Sequence, residues 1–268
     1  MYIHGFLLPK KELMAGQANL NQNIMTSEVG TKTYSTMTKI STFNHPLDNP
    51  IWNALTSGNK HLGSGNESVK YFDRKIAPFA GMKELNQESL EKLYDLLPDE
   101  SVVAIVIADI LLIENPWIIL NQEPIYQMVY ERTTLFPERN INFIPLNSTH
   151  VPAMLELTAL TKPGPFLERT IEFGNYYGIF NEEKLVAMAG FRMQTDGYIE
   201  ISAVCTHPDS IGKGYGTTLL TFLANQIISK RSTPFLHVRV NNIRAIELYK
   251  NLGFTIRQTM NLSIIKKP

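Results

Sequence analysis

The chain has 268 residues, long for one domain and comfortable for two. Apolar residues make up 44% and charged residues 19%, the composition of a water-soluble globular protein with enough aliphatic and aromatic side chains for a sizeable core. Lysine plus arginine and aspartate plus glutamate both total 25, so no net field favours nucleic acid or an anionic membrane, and the single cysteine, Cys205, excludes an intramolecular disulfide framework and fits a reducing compartment. The N-terminal apolar run Phe6, Leu7 and Leu8 precedes Lys10 and Lys11, the wrong order and length for a secretory signal. The apolar run from Val102 to Ile113 is broken by Asp109 and is far shorter than the roughly 20 residues of a membrane span. A cytoplasmic protein is expected.

Residues 1 to 36 lack helical or strand periodicity and are expected as a flexible tail. From residue 37 to 139 a smaller mixed α+β domain is expected. After the turn-rich stretch Asn44 to Pro50, Ile51 and Leu55 begin a helical stripe. Ser89 is placed to cap a helix carrying Leu90, Leu93, Leu96 and Leu97, which ends before Pro98. Val102 to Ile113 and Trp117 to Leu120 read as strands.

From 140 onward the order is clearer. A strand to Pro145 leads to a helix capped near Ser148 or Thr149, which Thr161 to Pro165 stops. A short helical stretch around Phe166 to Phe173 precedes strands Tyr176 to Phe180, Leu185 to Gln194 and Tyr198 to Thr206, with turns at Asn181 to Lys184 and at Asp196-Gly197. A helix with Leu219, Phe222, Leu223 and Ile227 on one stripe, a strand from Phe235 to Val240, and a helix through Ala245, Leu248, Tyr249 and Leu252 follow. Gly253 is placed to end that helix in the left-handed conformation, and a final strand pair closes the chain.

Between the strand ending at Thr206 and the next helix lies Gly212-Lys213-Gly214-Tyr215-Gly216. Glycines let the backbone turn tightly and approach a ligand closely, while the amides and dipole of the first helical turn attract negative oxygens. The loop is not a Walker motif, since no Gly-Lys-Ser or Gly-Lys-Thr closes it, and Thr217 stands where a dinucleotide fingerprint needs its third glycine. On its own the cluster reads equally well as a phosphate cradle or as a loop serving tight packing.

The stretch from Glu200 to Gly216 (EISAVCTHPDSIGKGYG), followed by helix, strand and the stretch from Asn242 to Phe254 (NIRAIELYKNLGF), resembles the GNAT acetyltransferase superfamily. The residues from Thr161 to Thr170 and from Phe235 to Val238 resemble a bacterial branch of it with an extra N-terminal region. The resemblance implies an α+β fold whose mixed central sheet splays apart between two neighbouring parallel strands and is flanked by helices. It also implies acetyl-CoA as co-substrate. The loop Ile211, Gly212, Lys213, Gly214, Tyr215, Gly216 and Thr217 would cradle the pyrophosphate, and the backbone of Val204, Cys205 and Thr206 would pair with the pantetheine arm. Asn242 would lie beside that arm, and it reads also as a helix N-cap. Ile211 departs from the Arg or Gln usual at that position, which weakens the expected CoA affinity.

Glu200 matches a catalytic glutamate of some family members, and an amine with a pKa near 10.4 needs a base; its other reading is a solvated strand-end carboxylate. Tyr249 matches the family's general acid, which protonates the departing thiolate; its other reading is a core aromatic. Cys205 reads as packing rather than as a nucleophile, and His237 as a hydrogen-bonded core histidine. The histidines show no metal spacing, so no metal is expected. The function implied is N-acetylation of a primary amine of a small molecule by direct attack in a ternary complex, with no nucleic-acid or membrane partner. The alternatives are a non-catalytic acyl-CoA-binding regulatory module, or an acyltransferase using a different acyl-CoA. Residues 37 to 139 are expected as a degenerate relative of the same fold or as a lid, and 140 to 268 as the acetyltransferase domain.

Overall fold

The computed structural model describes residues 43–137 and 141–268, together with the dipeptide strands β1 (Tyr2–Ile3) and β2 (Phe6–Leu7), which pair with each other. Apart from those four residues, the expected tail lies outside the described residues. The N-terminal half contains α1 (Pro50–Thr56), β3 (Gly63–Gly65), β4 (Val69–Phe72), β5 (Ala80–Met82), α2 (Gln87–Leu96), β6 (Val102–Ile107) and β7 (Ile118–Val129). Then come β8 (Ile144–Pro145), α3 (Val151–Thr161), β9 (Tyr177–Asn181), β10 (Lys184–Thr195) and β11 (Tyr198–Thr206). The chain closes with α4 (Tyr215–Ser229), β12 (Thr233–Arg239), α5 (Ile243–Asn251) and β13 (Thr255–Lys266). Among the described residues no helix is long and apolar enough to cross a membrane.

One mixed sheet organises the protein, with strand order β6-β13-β7-β12-β11-β10-β9-β8, while β3, β4 and β5 form a small antiparallel sheet of their own. The expected boundary near residue 139 does not separate two sheets. β13 pairs with β7 along its whole length and with β6 along its second half, so strands from both sides of that boundary share hydrogen bonds. The reason is that β6 is buried at every residue and β7 at its C-terminal end, and such strands need backbone partners as well as apolar neighbours. The expected final strand pair is the single long β13, and the expected strand at Trp117 to Leu120 extends to Val129. The expected strand from Val102 stops at Ile107, where Ala108 turns its amide to Asp48 O.

Helices cover both faces of the sheet. On one face Leu47 in the turn before α1, Ile51 of α1, and Met154 and Leu157 of α3 pack in one core with Ile125, Met188, Phe235 and Met260. On the other, α4 buries Leu219, Leu220, Leu223, Ala224 and Ile227 against Ala187, Phe191, Ile201 and Leu236, and α5 adds Ile246. α2 carries Leu90 and Leu93 over β6 and β4. Its cap is Asn86, not Ser89: the Asn86 side chain accepts from the Ser89 amide at 2.9 Å, so the helix begins one turn earlier than expected. Gly253 adopts φ 93° and ends α5 as expected.

Gly190 on β10 lets the ring of Tyr176 lie against the backbone, where an added Cβ would overlap ring carbons. Gly190→Ala is therefore expected to destabilise by about 1–3 kcal/mol through overpacking. Urea unfolding of the two proteins checks this; equal midpoints would show that the ring moves aside freely.

Candidate active site

β11 and β12 are parallel neighbours but pair over three positions only, Tyr198 with Thr233 to Glu200 with Phe235, and then diverge. Just beyond, β11 carries a bulge. Its register against β10 shifts between Met188 and Gly190, and Ala203 sits at φ 52°, a left-handed conformation that an alanine adopts at a cost of about 1–2 kcal/mol. The divergence and the bulge open a cavity of about 700 Å³ through the sheet.

The predicted cofactor residues gather on this cavity. Val204, Cys205 and Thr206 line it from β11, Ile211, Gly212, Gly214, Tyr215, Gly216 and Thr217 from the loop and start of α4, and Asn242 and Tyr249 from α5. Lys213 and Glu200 do not line it. The local sequence explains the loop. Gly212 and Gly214 take φ 89° and 77°, and no side chain caps α4, so amides of its first turn are left for an anion at the cavity wall. The Asn242 side chain accepts from the Ala245 amide at 3.3 Å, so the N-cap reading of Asn242 holds.

Glu200 is fully buried, and its environment differs from that expected of a free base. Arg192 grips the carboxylate with Nε at 2.7 Å and Nη2 at 2.5 Å, and His237 Nδ1 lies 2.8 Å from Oε1. Burial pushes the carboxyl pKa up, but the charge and hydrogen bonds of Arg192, joined by the hydrogen bond from His237, outweigh it and hold the group down at about 2. A carboxylate held down in this way is a poor acceptor for the proton of an amine near pKa 10.4. Glu200 is thus a buried counter-ion behind the cavity wall, and its reading as a solvated strand-end carboxylate is corrected.

The pairing of the strands extends this contact into a row across one face of the sheet. Following Arg192 on β10 and Glu200 on β11 come His237 on β12, Gln127 opposite it on β7, and Arg257 on β13. Gln127 donates to Leu47 O at 2.9 Å and accepts from Arg257 Nη1 at 2.9 Å, which fixes its amide orientation. Its NH₂ therefore faces His237 Nε2 at 3.1 Å, making Nε2 the acceptor and placing the imidazole proton on Nδ1, toward Glu200. His237 is the hydrogen-bonded histidine expected, with neither nitrogen free, and Arg257 ends the row on Asp48 at 2.5 Å.

Arg192 and His237 form part of the cavity wall, beside Phe79, Val106, Ile125 and Leu262. Sequence reasoning missed all of these except His237. Arg192 did leave a signal, a cation inside the apolar strand Leu185 to Gln194; Phe79, Val106 and Ile125 left none. Two further groups bear on the chemistry. Burial pushes the Tyr249 phenol up to about 12 and the Cys205 thiol also up to about 12, so both hold their protons at neutral pH. Cys205 is buried and not a thiolate, in agreement with a packing role.

The glycine loop and the splayed strands lie within a region that matches a family model. Residues 176–262 match the model described as FR47-like protein. No curated protein matches the chain. Among solved structures, a GNAT-family protein of Novosphingobium aromaticivorans DSM 12444 is 28% identical, with 84% of this chain and 100% of that chain covered and a TM-score of 0.78. A GCN5-related N-acetyltransferase from Kribbella flavida, 13% identical over 80% of this chain and 93% of that one, superposes with a TM-score of 0.54. A GCN5-related N-acetyltransferase-like protein from Streptococcus suis 89/1591, 12% identical over 81% and 92%, superposes at 0.51; these last two speak for the fold alone. Residues 176–262 are thus similar to the FR47-like model, and the chain as a whole is similar to a solved protein of the GNAT family.

Proposed function

We propose that the protein is an acetyl-CoA-dependent N-acetyltransferase that passes the acetyl group to a primary amine of a small molecule by direct attack in a ternary complex. The observation that carries this reading is the uncapped start of α4, with Gly212 and Gly214 at positive φ, opening onto the cavity where β11 and β12 part. The loop from Ile211 to Thr217 takes the pyrophosphate, the backbone of Val204 to Thr206 pairs with the pantetheine arm as a strand would, and Asn242 stands beside it. The thioester then lies near the bulge at Ala203. The amine lone pair attacks the thioester carbonyl, the C–S bond breaks, and the Tyr249 hydroxyl gives its proton to the departing thiolate. Burial keeps the Tyr249 phenol protonated at neutral pH, and the same poor solvation makes a departing thiolate more basic, which favours the transfer. Among the described residues no Asp or Glu lines the cavity, so the amine enters as the free base, its ammonium proton already released to bulk solvent, and the proton that the nitrogen sheds after attack returns through solvent to the Tyr249 phenolate. Residues 37 to 139 act as part of the acceptor chamber, since Phe79, Val106 and Ile125 line it.

Calorimetric titration with CoA, followed by an amine panel read by thiol release, tests the reading; CoA binding without thiol release would favour a non-catalytic module. Gly214→Val is expected to weaken CoA binding at least about tenfold, because a β-branched residue resists φ 77° and would turn the loop amides away from the phosphates. Unchanged affinity in that variant would remove the pyrophosphate assignment.

A further inference from the structure

Resting on the acetyltransferase reading, we infer that the acceptor is an amine that also carries a carboxylate and an apolar side group, with the carboxylate held by Arg192. Glu200 uses two of the five guanidinium N–H bonds of Arg192, through Nε and Nη2, and is the acceptor present among the described residues. In a planar guanidinium the opposite edge, Nη1 with the second hydrogen of Nη2, is a ready fork for a second carboxylate. The Phe79 ring lies over the guanidinium at 5.1 Å, and Glu200 holds the other edge, so the plane of the fork is set before any ligand arrives. Arg192 lines the cavity while Glu200 stays behind it.

The charge around the cavity agrees. Among the described residues Lys162, Arg192, Arg239 and Arg244 contribute to its lining and no Asp or Glu does, which suits an anionic acceptor and disfavours a polyamine. Arg239 is shared with Glu123 at 3.2 Å, and Lys162 sits in the Thr161 to Pro165 loop, whereas Arg192 belongs to the sheet face that carries Phe79, Val106, Ile125 and Leu262 around the same space. Those four side chains offer no hydrogen-bonding group, so what they accommodate is the apolar body of the acceptor.

The test compares matched acceptors with the full chain and acetyl-CoA: L-phenylalanine against phenethylamine, and L-leucine against 3-methylbutylamine, with putrescine as the cationic control. The wild type is expected to favour the carboxylate-bearing member by about 10²-fold or more in kcat/KM, because the amine lacking it leaves the fork unpaired. In the double variant Arg192→Gln with Glu200→Gln, which removes both charges together, that ratio is expected to fall to within a few-fold of one. Arg192→Lys, which keeps the charge but loses the fork, is expected to lower it by at least tenfold. Thiol release from the plain amines equal to or above that from the amino acids in the wild type, or a ratio that survives in both variants, overturns the inference and leaves the acetyltransferase reading in place. No thiol release with either class overturns both. Should the double variant not fold, Arg192→Lys and the wild-type ratio still decide.

Discussion

Tyr249→Phe is expected to lower turnover by about 10² to 10⁴ while leaving CoA affinity and stability nearly unchanged. The substitution keeps the ring, which packs on the same face as Phe254, 6.2 Å away between centroids, and removes only the hydroxyl. If that hydroxyl protonates the departing thiolate, its loss exposes the full cost of expelling a sulfur anion into a poorly solvated cavity. Burial holds the phenol protonated at neutral pH, its pKa pushed up to about 12, so the acid form is present throughout the working range and its loss is not masked by ionisation. The measurement is steady-state acetylation of an active acceptor, with CoA titration and thermal unfolding on the same two proteins. Wild-type turnover in the variant would make Tyr249 a packing residue and leave the cofactor site untouched.

Arg192→Met is expected to cost about 3–5 kcal/mol of stability at neutral pH, because it leaves the fully buried Glu200 without its counter-charge. The pH dependence should change sign with it. In the wild type the Glu200 pKa is depressed, to about 2, below its unfolded value near 4.3; the ion pair therefore contributes fully above that unfolded value and is lost as pH falls through the folded one. Without Arg192 the burial contribution dominates and raises the carboxyl, so this group then costs stability as pH rises past about 4.3. Urea unfolding of both proteins between about pH 3.5 and about pH 7, where the two curves diverge, checks the sign. A variant that keeps the wild-type dependence would mean that His237 alone sustains the carboxylate. Adding Glu200→Gln to Arg192→Met should recover part of the loss, since no buried charge is then left unpaired.

What was legible in advance divides along physical lines. The helix stripe of α4, the loop glycines and the left-handed stop at Gly253 depend on a few consecutive residues, and each appears where the residues alone placed it. The cap at Asn86 was misplaced by three residues because Asn and Ser both accept from a helix amide, and only the backbone φ and ψ say which one stands outside the helix. The long β13 and the membership of β6 and β7 in the main sheet were not legible, since strand pairing joins segments more than a hundred residues apart.

The same division runs through the site. The sequence by itself determined the positive-φ turn at Gly212 and Gly214 and the places of Asn242 at the cap of α5 and Tyr249 on it, because glycine conformational freedom and helical spacing are local properties. The tertiary structure alone decided what Glu200 is. A carboxylate on a strand can be a base or a counter-ion, and the choice was made by strand order, which set Arg192 on one side of it, His237 on the other, and beyond them Gln127 and Arg257 to fix the imidazole proton. It likewise decided that Phe79, Val106 and Ile125 face the cavity, because the pairing of β7 with β12 and of β13 with β6 and β7 carries the N-terminal half onto that side of the sheet.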